Sequence, residues 1–198
     1  MIIKVDKEKL LKEFEEKYVV DRYKDEFGKI IEKYKSDKDS IEKELILKFD
    51  LVCKEATKLQ QKELKGKIKY IYFSLLRTSL LENKGEWRID LYDEKWFLDK
   101  EECSINIDLD FIYHSLFNHM EELLEKKNEY GRNITAMDIE NIKIKEANIY
   151  HVLTSEFLKS LIEKFIKISS YEEMKKTEDI MILAGEYMDE VKIIYSTT

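Results

Sequence analysis

The chain has 198 residues, a length that suits one domain burying roughly 70% of its unfolded surface. Hydrophobic residues make up 43%, charged residues 39% and aromatic residues 12%, which excludes the aromatic-poor composition of a disordered chain. Net charge is −7, so the chain as a whole lacks the basic balance with which duplex-binding proteins displace phosphate counterions, and this argues against nucleic acid as a partner.

The charge is unevenly placed. Residues 1–65 sum to +1 and residues 66–81 to +3, whereas residues 82–110 set four basic side chains against ten acidic ones. Only four arginines occur: Arg22, Arg77, Arg88 and Arg132. There is no proline and there are five glycines, so few residues interrupt regular elements, and long helices are favoured. Cys53 and Cys103 are far apart with no C-x-x-C, which reads as reduced thiols in a cytoplasmic protein. The N-terminus has no apolar run of signal-peptide length, and no window is long and apolar enough for a membrane span.

In chain order, the spacing predicts a first helix over 7–35, capped by Asp6, with an irregularity near Tyr18–Val20 where β-branched residues cluster. Residues 36–40, SDKDS, read as a turn. Ile41, Leu45, Phe49, Val52, Ala56 and Leu59 then recur at helical spacing to about Lys65. Ile68, Ile71, Tyr72, Leu75, Leu76, Ser79 and Leu80 continue that spacing, with a break expected near Gly66 and an end at Asn83–Gly85. From Glu86 to Leu109 the period changes to two. Trp87, Ile89 and Leu91 share one face; Arg88, Asp90 and Tyr92 share the other. Trp96 and Leu98 are expected beside Trp87, with Phe97 and Asp99 opposite, and Ile105, Ile107 and Leu109 alternate again. Helices are expected over 111–127, from a Thr135 cap to about Ile168, and from a Ser170 capping box to the C-terminus. The last would carry Met174, Met181 and Met188 at heptad spacing.

The expected fold is therefore mainly α: an irregular bundle of about six helices with a small two- or three-stranded antiparallel β meander near residues 86–109. It reads as a single domain over 1–198, with a hinge point near 65–67. The helical stretch over residues 1–65 has the makings of a semi-independent hairpin.

Glycines at 28, 66, 85, 131 and 185 are too scattered to build a phosphate-cradling loop, and no cofactor motif occurs. His114 and His119 point about 140° apart on a helix and share no ion easily. Cys103 lies beside Glu101 and Glu102, which would raise its thiol pKa, the wrong direction for a nucleophile. What remains is the polar face of the meander: Arg88, Asp90, Tyr92, Phe97 and Asp99. Aromatic, arginine and acidic side chains together are enriched at interaction hot spots. The expected function is a non-enzymatic cytosolic protein-binding module of inhibitor, immunity, adaptor or regulatory type, suited to a basic partner. The alternative is a divalent-metal-dependent hydrolase, with Asp90, Asp99 and Asp108 converging on Mg²⁺ or Mn²⁺. The C-terminal methionine stripe suggests core or the seam of a homo-oligomer.

Overall fold

The computed structural model describes residues 6–187 and 191–197. Helix α1, Lys7–Tyr18, starts where expected: Asp6 accepts from the Glu8 amide at 3.1 Å. The irregularity at Tyr18–Val20 is a true break, after which Asp21 adopts φ 65° and helix α2 runs from Tyr23 to Gln61. No turn forms at 36–40. Serine and aspartate are weak helix formers rather than breakers, and the Ser36 hydroxyl simply bonds back to the Lys33 carbonyl at 2.9 Å.

From there the architecture departs from the expected bundle. Residues 68–75 are not helical. They form strand β1, Ile68–Leu75, followed by a five-residue helix α3, Arg77–Leu81. Strand β2, Glu86–Tyr92, and strand β3, Ser104–Asp108, form where the period-two alternation placed them. Helices α4, Asp110–Lys126, and α5, Ala136–Phe165, follow. Thr135 caps α5 reciprocally: its hydroxyl accepts from the Asp138 amide, and Asp138 accepts from the Thr135 amide. The expected C-terminal helix is confined to α6, Ser169–Glu173. Beyond it lie strand β4, Lys176–Glu186, and strand β5, Val191–Ser196. With no helix there, the heptad reading of the methionines has no basis. Met174 is buried, Met181 lies in β4, and Met188 is outside the described residues.

The strands form one five-stranded mixed sheet in the order β3-β2-β1-β4-β5, not a small antiparallel meander. β1 is central. It pairs antiparallel with β2 and parallel with β4, while β4 pairs antiparallel with β5. A central strand buried on both faces reads as a continuous apolar run, and periodicity alone cannot separate such a run from a buried helix. Ile71 to Leu75 are all buried, and that is why the spacing misleads.

The chain divides into two compact units. The first comprises residues up to Ser36 and Phe111–Tyr150; the second comprises Asp37–Asp110 and the chain from His151 onward. Among the described residues the regular elements of the first unit are all helical. Ile112, Leu116, Met120 and Leu123, which recur at helical spacing on α4, are all buried in it. Phe14 meets the ring of Tyr130 edge-on at 5.3 Å, and Arg22 bonds Glu122 at 2.8 Å. The second unit contains the sheet. One sheet face carries Ile71, Phe73, Leu75, Trp87, Ile89, Leu91 and Ile107, all buried. Helices cover it: Phe49 of α2 and Phe165 of α5 both stack on Phe73. Gln60, near the end of α2, ties the lower edge together. Its amide donates to the carbonyls of Gly66 and Lys175, and its oxygen accepts from the Lys175 amide.

Candidate functional site

The candidate site is the other face of the same sheet. Directly opposed residues of paired strands project to one side. The register Tyr70↔Tyr92, Tyr72↔Asp90 and Ser74↔Arg88 therefore sets six polar or aromatic side chains on that face. Asn106 and Ser104 of β3 extend it beside Arg88 and Asp90.

A turn of the chain lies over part of this face. Residues Trp96–Leu98 form one turn of 3-10 helix rather than a strand, and Trp96 is held at φ 57°. That conformation is rare for a bulky residue and needs compensation from its surroundings. Aromatic rings supply it: Trp96 meets Tyr70 edge-on at 4.3 Å, Tyr92 at 5.4 Å and Tyr72 at 5.8 Å. Phe97 joins Tyr92 at 5.4 Å and Tyr187 at 5.9 Å. The six rings of Tyr70, Tyr72, Tyr92, Trp96, Phe97 and Tyr187 thus form one cluster, of which only Tyr72 is fully buried. Leu98 at its rim is 80% exposed. The expectation that Trp96 and Leu98 join Trp87 on the covered face is corrected. The positive φ at Trp96 ends the alternation on which that placement depended.

The turn is stapled from below. The Lys65 ammonium, completely buried, donates to Asp99 Oδ2 at 2.6 Å and to the Glu101 carbonyl at 2.6 Å. Asp99 in turn accepts from the amides of Asp93 at 2.9 Å and Glu101 at 3.2 Å. Burial opposes the charge of Asp99, but Lys65 and the two amides hold its carboxyl below the usual aspartate range. Asp99 is therefore a structural anchor of the loop rather than a surface group of the face.

Arg88 and Asp90 stay together. The guanidinium meets Asp90 Oδ1 at 2.6 Å and reaches Glu102 at 3.1 Å. The Asp90 side chain is only 3% exposed, and its Oδ2 and the buried Ser74 hydroxyl have no hydrogen-bond partner among the described residues. Burial raises the Asp90 carboxyl above its usual pKa despite the counteracting Arg88 charge. The neutral form is thus favoured more in the fold than in the unfolded chain, so Asp90 costs stability at neutral pH, and that cost falls as pH drops through its raised pKa. Asp90→Asn is expected to raise the urea midpoint at pH 7, with the gain narrowing at lower pH. A lower midpoint at pH 7 would show that the Arg88 pair outweighs burial.

The three aspartates of the metal reading are not brought together. Asp90 is bound to Arg88 and Asp99 to Lys65, and Asp108, at the far end of β3, accepts from the Asp110 amide at 2.7 Å. Among the described residues no group of three His, Cys, Asp or Glu side chains could hold a metal ion. His119 bonds the Tyr18 carbonyl and His151 packs edge-on against Trp87. Both cysteines are free and buried, and burial before any neighbouring charge pushes the Cys103 thiol up to about 12. No described helix is long and apolar enough to cross a membrane.

Lys65, Tyr70, Tyr72, Ser74 and Tyr187 are parts of this site that the spacing did not reveal, because each lay in a stretch read as helix. The one available signal was the run Ile68-Lys-Tyr-Ile-Tyr-Phe73, rich in β-branched and aromatic residues. No family model, no curated protein and no solved structure matches the chain.

Proposed function

We propose that the chain is a cytosolic protein-binding module, of inhibitor, immunity, adaptor or regulatory type, and that it engages a basic protein through the ring-bearing face of its sheet. The observation that carries this reading is the stapled turn: it sets Trp96 and Phe97 half-exposed beside Tyr70, Tyr92 and Tyr187, with Leu98 80% exposed at the rim. Rigid aromatic side chains give a partner large contact area at little cost in conformational entropy, and exposed apolar groups of this kind mark interaction sites. Arg88, fixed between Asp90 and Glu102, adds an oriented guanidinium beside them.

The choice of a basic partner rests on charge. Residues 82–110, which supply β2, the turn and β3, carry a net −6, and Glu94, Glu102 and Asp108 are exposed. Complementary charge speeds association and disfavours acidic competitors. The direct test uses Leu98→Asp, which changes an exposed side chain and leaves the ring cluster in place. A basic protein captured with the wild-type chain from its host, then purified, should bind in a one-to-one complex. Its affinity should fall at least about tenfold with Leu98→Asp and weaken with salt. A complex indifferent to Leu98→Asp would remove this face from the function.

A further inference from the structure

Two buried polar atoms on the ring-bearing face lack a partner, and they are neighbours. Ser74 is opposite Arg88 and Tyr72 is opposite Asp90, so Ser74 and Asp90 are diagonal neighbours across β1 and β2. Such positions are about 7–8 Å apart. Ser74 is fully buried and the Asp90 side chain is 3% exposed. Neither the Ser74 hydroxyl nor Asp90 Oδ2 has a hydrogen-bond partner among the described residues. Leaving buried polar atoms unpaired is costly, and native folds do so rarely.

The charge beside them is unbalanced as well. The Arg88 guanidinium faces two carboxylates, Asp90 at 2.6 Å and Glu102 at 3.1 Å, so the group keeps one negative charge. The nearby pair of Lys65 and Asp99 balances itself. The surroundings are aromatic. Tyr72, opposite Asp90, lies among the rings of Trp96 at 5.8 Å, Phe97 at 6.3 Å and Tyr187 at 6.5 Å. On the other side of Ser74 the paired residue of β4 is Gly185, which has no side chain to offer the hydroxyl.

We infer that Ser74 and Asp90 form the floor of a socket for one guanidinium, an arginine side chain of the basic partner. This rests on the reading of the face as a protein-binding surface and names what enters it. A guanidinium supplies what each feature lacks. Its planar fork donates to Asp90 Oδ2 and Ser74 Oγ together. Its charge balances the surplus carboxylate, and its flat face stacks on aromatic rings. An ammonium matches the charge but neither the fork nor the stacking. An anion would meet a group that is already negative. Burial holds the Asp90 carboxyl above its usual pKa, as expected of an acid short of a second counter-charge. The way in passes Phe97 and Tyr187, both half-exposed, so rotation of these rings opens it while Lys65 and Asp99 hold the backbone of the turn.

The probes are ethylguanidinium, ethylammonium and the neutral, planar ethylurea, followed in amide NMR spectra of the whole chain. Ethylguanidinium should give saturable shifts at Ser74, Asp90 and the Trp96 indole, with a dissociation constant of order 1 mM. The other two should bind at least about tenfold more weakly. Asp90→Asn should weaken ethylguanidinium at least about tenfold, and Ser74→Ala about threefold, each in an otherwise unchanged spectrum. Ser74→Ala removes a buried hydroxyl that bonds nothing, so the fold survives it. Ethylguanidinium binding no tighter than that of ethylammonium or ethylurea overturns the inference, and so does binding indifferent to Asp90→Asn. A partner complex lost with Leu98→Asp but indifferent to Asp90→Asn and Ser74→Ala would keep the face as the interface and overturn the socket.

Discussion

Asp99→Ala is expected to destabilise the protein by about 3–5 kcal/mol, toward the upper end of that range, with Lys65→Met toward the lower end. Removing one member of a buried ion pair leaves the other charge desolvated and uncompensated. The two variants differ in what they strand. Lys65→Met leaves Asp99 with two backbone amides still donating to it, and a carboxyl can also take up a proton. Asp99→Ala leaves the Lys65 ammonium, which has no exposed surface, with the Glu101 carbonyl as its remaining partner. It also orphans the amides of Asp93 and Glu101. The pH dependence is a second signature. The Asp99 pKa is lowered in the fold, so its stabilisation is complete above the ordinary aspartate value of about 3.9 and is lost as pH falls through the folded pKa. Urea midpoints from pH 7 to pH 2 check both points. Lys65→Met should show a shallower loss than the wild type below about pH 4. Losses under about 1 kcal/mol for Asp99→Ala would mean that the pair is open to solvent, as surface pairs of that worth are.

This anchor also marks where reading the sequence stops working. Lys65 and Asp99 are 34 positions apart, and nothing local announces that they meet. Arg88, Asp90 and Tyr92 were legible as one face because a strand alternates strictly, and β2 does so from Glu86 to Tyr92. Phe97 reaches that face too, though by a different route: the reversal at Trp96 carries it there, and no period-two rule anticipates a tryptophan at positive φ. The helices α4 and α5 were legible because one side of each is polar. The failures share one cause. β1 lies between two other strands and is buried on both faces, and β4 carries Ile182, Leu183 and Ala184 buried in succession. Their apolar residues fall at spacings of three and four by density alone, so a helix template fits them as well as a strand does.

Phe49→Ala is expected to cost about 3–5 kcal/mol, against a total stability of about 5–15 kcal/mol for a typical domain. Phe49 is fully buried, and its ring stacks on Phe165 at 4.7 Å, on Phe73 at 6.2 Å and lies 6.1 Å from Tyr171. It is thus the side chain through which α2, β1, α5 and α6 meet within the sheet-bearing unit. Truncation removes the ring's transfer free energy and leaves a cavity walled by a strand and three other aromatic rings. Those walls relax little, because Phe73 is fixed in the central strand between β2 and β4. Phe49→Leu keeps more of the volume and leaves a smaller cavity, so it should cost less than Phe49→Ala. The contrast with Phe97→Ala isolates burial as the cause. Phe97 touches four rings against the three of Phe49 but is half-exposed, so its truncation opens to water instead of leaving a void and should cost well under half as much. Urea unfolding at a constant slope separates the three variants. An equal loss for Phe49→Ala and Phe97→Ala would mean that the ring cluster on the open face is as much a part of the core as the stack beneath the helices.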